Sequence, residues 1–117
     1  MGCDIHAFVE VRLPGAGWTL VERLDIGRYY AFFAALAGVR GPGPEPHGIP
    51  LNASEAFHYH ADWYGEDGHS HSWERGEDFL ALFKKVENHE EAYWPFALRE
   101  IVDEHPGETR VVFFFDN

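Results

Sequence analysis

The chain has one cysteine, Cys3, one methionine, and only nine Lys and Arg against twenty Asp and Glu. A lone thiol cannot close an internal disulfide, so the fold does not depend on oxidising surroundings, and a cytoplasmic setting is expected. The shortage of basic residues leaves a formal charge of -11 and a pI near 5.0. That balance lacks the positive footprint needed to displace counterions from a phosphate backbone, and it argues against nucleic acid as a partner. It suits a metal ion or a basic protein surface. No apolar run approaches the roughly 20 residues that span a bilayer, and the start has neither the basic residues nor the apolar core of a signal peptide, so no membrane partner is expected. The glycines between positions 38 and 48 are not followed by the Gly-Lys-Ser/Thr of a phosphate loop. Ser70 and Ser72 stand beside histidines but lack a nucleophile elbow to present them.

What is present is apolar bulk. Aromatics make up 16% of 117 residues, with ten Phe, five Tyr and four Trp, enough for one core. Residues 1–117 read as a single domain, too short for a (β/α)8 barrel or a dinucleotide-binding enzyme. Residues 4 to 13 alternate, with Ile5, Ala7, Val9, Val11 and Leu13 on one face and Asp4, His6, Phe8, Glu10 and Arg12 on the other, as in a half-buried strand. Pro14-Gly15-Ala16-Gly17 signals a turn, and Trp18 to Arg23 return as its hairpin partner. The run from Arg28 to Ala37 is apolar nearly all round and predicts a short buried helix closed by Gly38.

The Gly/Pro stretch 41–50 is a loop, and Asn52 with Glu55 resembles a capping box for a helix through about Asp62. Gly65 to Ser72 reads as loop. Glu77 and Asp78 open a helix whose Phe79, Leu82, Phe83 and Val86 form one stripe, with Lys84 and Lys85 complementing its dipole. Pro95 fits the first turn of another helix, with Leu98, Ile101, Val102 and His105 at the same offsets before Pro106-Gly107. Thr109 to Phe115 is apolar at consecutive positions and predicts a central strand covered on both faces. The expected class is α+β: an antiparallel sheet with an N-terminal hairpin and a central C-terminal strand, packed by three or four helices.

Two pairs share a chelating two-residue spacing, Asp4 with His6 and His69 with His71. On a strand such a pair projects from one face. If the first and last strands are antiparallel neighbours, Asp4, His6 and Asp116 meet at one edge, and the loop bearing His69 and His71 folds over it. Two or three imidazoles with one or two carboxylates suit zinc, manganese or iron(II) with a position open for water. Taken one at a time, each residue has an ordinary structural role: a surface pair, an oriented buried histidine, a strand-end aspartate. Only convergence would make them a metal site. His58, His60 and Asp62 form a second grouping, in which His58 and Asp62 share a helix face. Cys3 reads as a small buried hydrophobe rather than a nucleophile.

Met1-Gly2-Cys3-Asp4-Ile5-His6, then Leu36-Ala37-Gly38-Val39-Arg40-Gly41, then Asp67-Gly68-His69-Ser70-His71-Ser72-Trp73, then Val112-Phe113-Phe114-Phe115-Asp116-Asn117 together resemble a family of small uncharacterised proteins encoded by bacteria and tailed bacteriophages. The resemblance places Asp4, His6, Arg40, His69, His71, Trp73 and Asp116 in its motif blocks and brings no activity with it. The Pro-rich stretch around His47 departs from the pattern.

From the residues, the expectation is a divalent-metal-binding protein that hydrolyses a phosphoester or amide bond in a small-molecule substrate through metal-bound water. Asp4, His6, His69 and His71 would hold the ion. Asp67 or Asp116 would orient a histidine or act as base, and Arg40 would bind an anionic substrate group, unless it serves as a salt bridge. The competing expectation is a noncatalytic, acidic, phage-type interaction protein that modulates a host protein through a basic surface.

Overall fold

The computed structural model describes residues 2–86 and 92–117. β1 (Asp4–Leu13) turns through Pro14-Gly15-Ala16 into β2 (Gly17–Leu24) as the expected hairpin. α1 (Tyr30–Ala37) follows and ends on Gly38, whose N–H still donates to the Ala34 carbonyl and whose φ of 67° turns the following chain out of the helix. A left-handed turn of this kind favours glycine. The 41–50 loop then folds back on α1 so closely that a Cβ on Gly43 would lie 1.7 Å from the Ala34 oxygen.

The chain continues through α2 (Glu55–Tyr64), a 3-10 turn (Gly65–Asp67) and β3 (Gly68–Arg75). α3 (Gly76–Val86), α4 (Trp94–Glu104) and β4 (Thr109–Asp116) complete it. The strands form one antiparallel sheet in the order β2-β1-β4-β3, so the protein is α+β with the C-terminal strand inside the sheet. Among the described residues no helix is long and apolar enough to cross a membrane.

Side chains of β1 and β4 alternate between two layers. Ile5, Ala7, Val9, Val111, Phe113 and Phe115 face α1, α3 and α4 in the larger core. Phe8, Val112 and Phe114 face Phe57 and Ala61 of α2 in the smaller one. The larger core is dominated by aromatic contacts: Phe32, Phe79 and Phe83 surround Trp94 with ring centroids 4.6 to 5.9 Å apart. Phe79 also meets Phe113 at 5.7 Å, which seats α3 on β4.

Four local expectations are corrected. β1 is buried from Ile5 to Val11 on both faces, not half-buried, because α2 covers the side that carries His6, Phe8 and Glu10. Gly68 to Ser72, expected as loop, belong to an edge strand over residues 68–75, since the otherwise open side of β4 takes them as a partner. The cap of α2 is Ser54, not Asn52; its side chain accepts from Phe57 N at 3.1 Å. In α3, Leu80 is buried with Phe79 and Phe83, while Leu82 and Val86 are only partly covered. That helix touches α1, α4 and β4 together, so its buried sector is wider than one stripe. Ser54→Ala removes a cap and is expected to cost about 1 kcal/mol, read from urea denaturation; an unchanged midpoint would show that the cap contributes nothing.

Candidate functional site

The pairing of β1 with β4 sets Asp4 opposite Asp116 and His6 opposite Phe114, so the beginning of one strand does lie beside the end of the other. Two carboxylates directly opposite on neighbouring strands repel, and each is answered by a donor of its own. Arg28 Nε donates to Asp4 Oδ1 at 2.8 Å, and its Nη2 to Oδ2 at 3.3 Å. That hydrogen bond is the main reason the Asp4 carboxyl sits below its usual value. Both side chains are about half exposed, so the pair adds little stability.

Asp116 is held by His6, whose Nε2 lies 2.7 Å from Oδ1. The other ring nitrogen, Nδ1, is 3.3 Å from Arg23 Nη2. A guanidinium can only donate, so Nδ1 accepts and Nε2 carries the proton given to Asp116. The buried ring lies against Tyr64 at 4.3 Å and Phe114 at 5.1 Å. Both nitrogens of His6 are therefore committed within the chain.

His69 and His71 do not share a face. The pairing of β3 with β4 is irregular between His69 and Ser72, and Ser70 within it has φ 55°. This bulge shifts the alternation by one. His69 stacks on Phe115, in the larger core, and His71 on Phe114, in the smaller one. His69 Nε2 donates to Asn117 Oδ1 at 3.0 Å, and its Nδ1 accepts from the Ser70 hydroxyl at 2.9 Å.

His71 does lie on the same face as His6, but the two approach Phe114 from the strands on either side of it, so a phenyl ring stands between the imidazoles. Burial, then the neighbouring His69, lowers the His71 pKa from the ordinary histidine value. Asp67 is exposed in the 3-10 turn, without a side-chain hydrogen bond or ion pair among the described residues. Arg40 lies on the other layer, with φ 61° and its guanidinium 5.0 Å from the centroid of Tyr30, whose hydroxyl accepts from Cys3 N at 3.2 Å. Cys3 is buried, and burial raises its thiol pKa, as fits a packing residue. His58 and Asp62 sit on the outer side of α2, while His60 stacks on Phe8 at 4.7 Å. Among the described residues, no three His, Cys, Asp or Glu side chains come together as a group able to hold a metal ion.

The residues that complete this edge carry no local signal: Arg23 lies in β2, Arg28 in the connection to α1 and Tyr64 at the end of α2, and only the fold brings them together. A further pair was readable. Arg110, in a strand expected to be covered on both faces, requires an anion, and Glu10 supplies it at 2.8 Å to Nε. Nη2 is 2.7 Å from the same oxygen but poorly aligned for a hydrogen bond, and the guanidinium lies 3.9 Å from the Trp18 ring centroid. The other oxygen of Glu10 accepts from Ser54 N at 2.7 Å and fastens the start of α2 to the sheet.

The lowered pKa of His71 predicts a pH effect. The unfolded chain takes up the His71 proton near its ordinary value of about 6.5, before the folded chain does, so stability is present above that pH and is lost as pH falls toward the folded value. Denaturation between neutral and mildly acidic pH should show a shallower loss for His71→Gln than for the parent, by at most about 1.4 kcal/mol per pH unit. Parallel profiles would contradict this. Glu74, raised by burial, works in the opposite direction at more acidic pH.

Fold and site together define an α+β protein whose sheet-edge ionisable groups pair mostly with one another. Neither a family model, a curated protein nor a solved structure matches the chain.

Proposed function

We propose that the protein is a noncatalytic, acidic interaction protein that covers a basic surface on another protein. The observation that most supports this reading is the internal commitment of three of the four residues considered as ligands: Asp4 to Arg28, His6 to Asp116 and Arg23, and His69 to Ser70 and Asn117. An ion taken up there would have to compete with N–H and O–H donors for the same lone pairs. Twenty carboxylates against nine basic side chains leave the remaining surface under-neutralised. Such a surface steers a cationic partner toward it and releases it as salt rises.

The test is binding of the untagged protein to a fluorescent deca-arginine peptide across a salt series, with and without chelator. The expected result is saturable binding that weakens steeply with salt and ignores chelator. Absence of binding at low salt, or binding that needs added metal, overturns the reading.

A second reading, a metal-dependent hydrolase at the sheet edge, is favoured by one observation. Two residues other than glycine, Arg40 and Ser70, adopt left-handed backbone conformations in the segments that flank this edge, and such strain gathers at working sites. Calorimetric titration with zinc and manganese tests it: uptake that Asp116→Asn abolishes supports a site there, and no uptake removes it.

A further inference from the structure

We infer that the outward face of α2 is the surface that the basic partner covers, and that it takes an extended segment with arginine at alternate positions. This inference rests on the reading of the protein as an acidic interaction protein and adds the place and the pattern.

α2 is seated on the sheet by one side. Phe57 and Ala61 are buried against Phe8 and Phe114, and Tyr64 and His60 rest on His6 and Phe8. The opposite side carries Tyr59 and Trp63, 71% and 74% exposed, with Leu51 fully exposed just before the helix. Tyr59 and Trp63 are four residues apart and so adjacent along one stripe, which Glu55 extends by another turn and Asp62 flanks. All four of these side chains are exposed. Two large rings that contribute nothing to the core, in a row with carboxylates, form the kind of patch that marks a protein interface, where Trp and Tyr carry most of the binding energy.

The chemistry selects arginine. A guanidinium stacks its face on an indole or phenol while its edge donates to a carboxylate, whereas an ammonium is a point charge with a tighter hydration shell. A purely apolar partner would strip water from Glu55 and Asp62 without replacing it. The spacing selects the pattern. Tyr59 and Trp63 are separated by about 6 Å along the helix axis at 1.5 Å per residue. In an extended chain alternate side chains lie about 6.6 Å apart on one face. Arginines at alternate positions therefore stand over the two rings in register.

The experiment measures fluorescence anisotropy of a labelled peptide with arginine and alanine alternating, beside its lysine counterpart and a peptide of equal charge with the arginines in one block. The proteins are the full chain, Trp63→Ala, Tyr59→Ala, and Glu100→Gln with Asp103→Asn on α4 as a control that removes the same kind of charge elsewhere. The expected result is tightest binding for the alternating arginine peptide, a loss of tenfold or more in Trp63→Ala and in Tyr59→Ala, and a small change in the α4 control. Melting temperatures matching the parent confirm that each variant is folded, and Trp63→Phe should recover part of the affinity. Arginine-peptide binding unaffected by either ring, but lost in the α4 control, would place the interface elsewhere while leaving the basic-partner reading intact. No binding of any cationic peptide to the parent at low salt would end that reading and this inference together.

Discussion

Glu10→Ala is expected to destabilise the protein by about 3 to 5 kcal/mol, the cost of leaving a buried charge without its partner. Glu10 is fully buried and Arg110 nearly so, so neither is screened by solvent. Removing the carboxylate strands the guanidinium beneath Trp18 and frees Ser54 N, so one side-chain link between β1 and β4 and one tie of α2 to the sheet are lost in one change. The shift in melting temperature should be on the order of 10 to 20 °C for a chain of this size. Replacing both partners, Glu10→Leu with Arg110→Met, should recover most of the loss, because the penalty lies in the unpaired charge rather than in the absence of the pair. A loss below about 1 kcal/mol in Glu10→Ala would show that the pair is not sealed from water.

Phe114→Ala is expected to cost a similar amount, about 3 to 5 kcal/mol, because a buried phenyl ring leaves a cavity that its neighbours fill only in part. Phe114 has no exposed surface and is the hub of the smaller core: Tyr64, Phe57 and Phe8 lie within 5.3 to 6.3 Å of its ring centroid, and His6 and His71 flank it. Its removal should therefore loosen α2 specifically. Amide exchange in residues 55–64 should rise more than in α3 or α4, whose contacts lie on the other side of the sheet. Uniform acceleration across all helices would contradict the separation into two cores.

Much of this architecture is legible in the residues. Seven successive buried positions in β4 follow from its unbroken apolar run, and the hairpin follows from Pro14 to Gly17 between two strand patterns. The meeting of Asp4, His6 and Asp116 follows from the antiparallel adjacency of the first and last strands. Alternation along β1, by contrast, distinguishes two faces but not water from a second protein layer, so Glu10 and His6 read as outward when α2 covers them. β3 is a polar edge strand whose residues have no strand pattern; the exposed side of β4 dictates its place. The bulge at Ser70 is equally silent, because nothing in a serine announces a positive φ, and it alone sends His69 and His71 to opposite layers. A two-residue spacing implies one face only while the strand is regular.

On the proposed reading, this acidic protein covers a cationic segment with α2 while His6, His69 and the sheet-edge carboxylates serve the fold. Amide chemical-shift mapping during titration with the alternating arginine peptide decides between this reading and a site at the sheet edge. The expected perturbations are concentrated in residues 51–64, with the indole N–H of Trp63 among the largest and the amides of Asp4, His6 and Asp116 unmoved. Perturbations centred on Asp4, His6, His71 and Asp116, with α2 silent, would contradict it and return the function to the sheet edge.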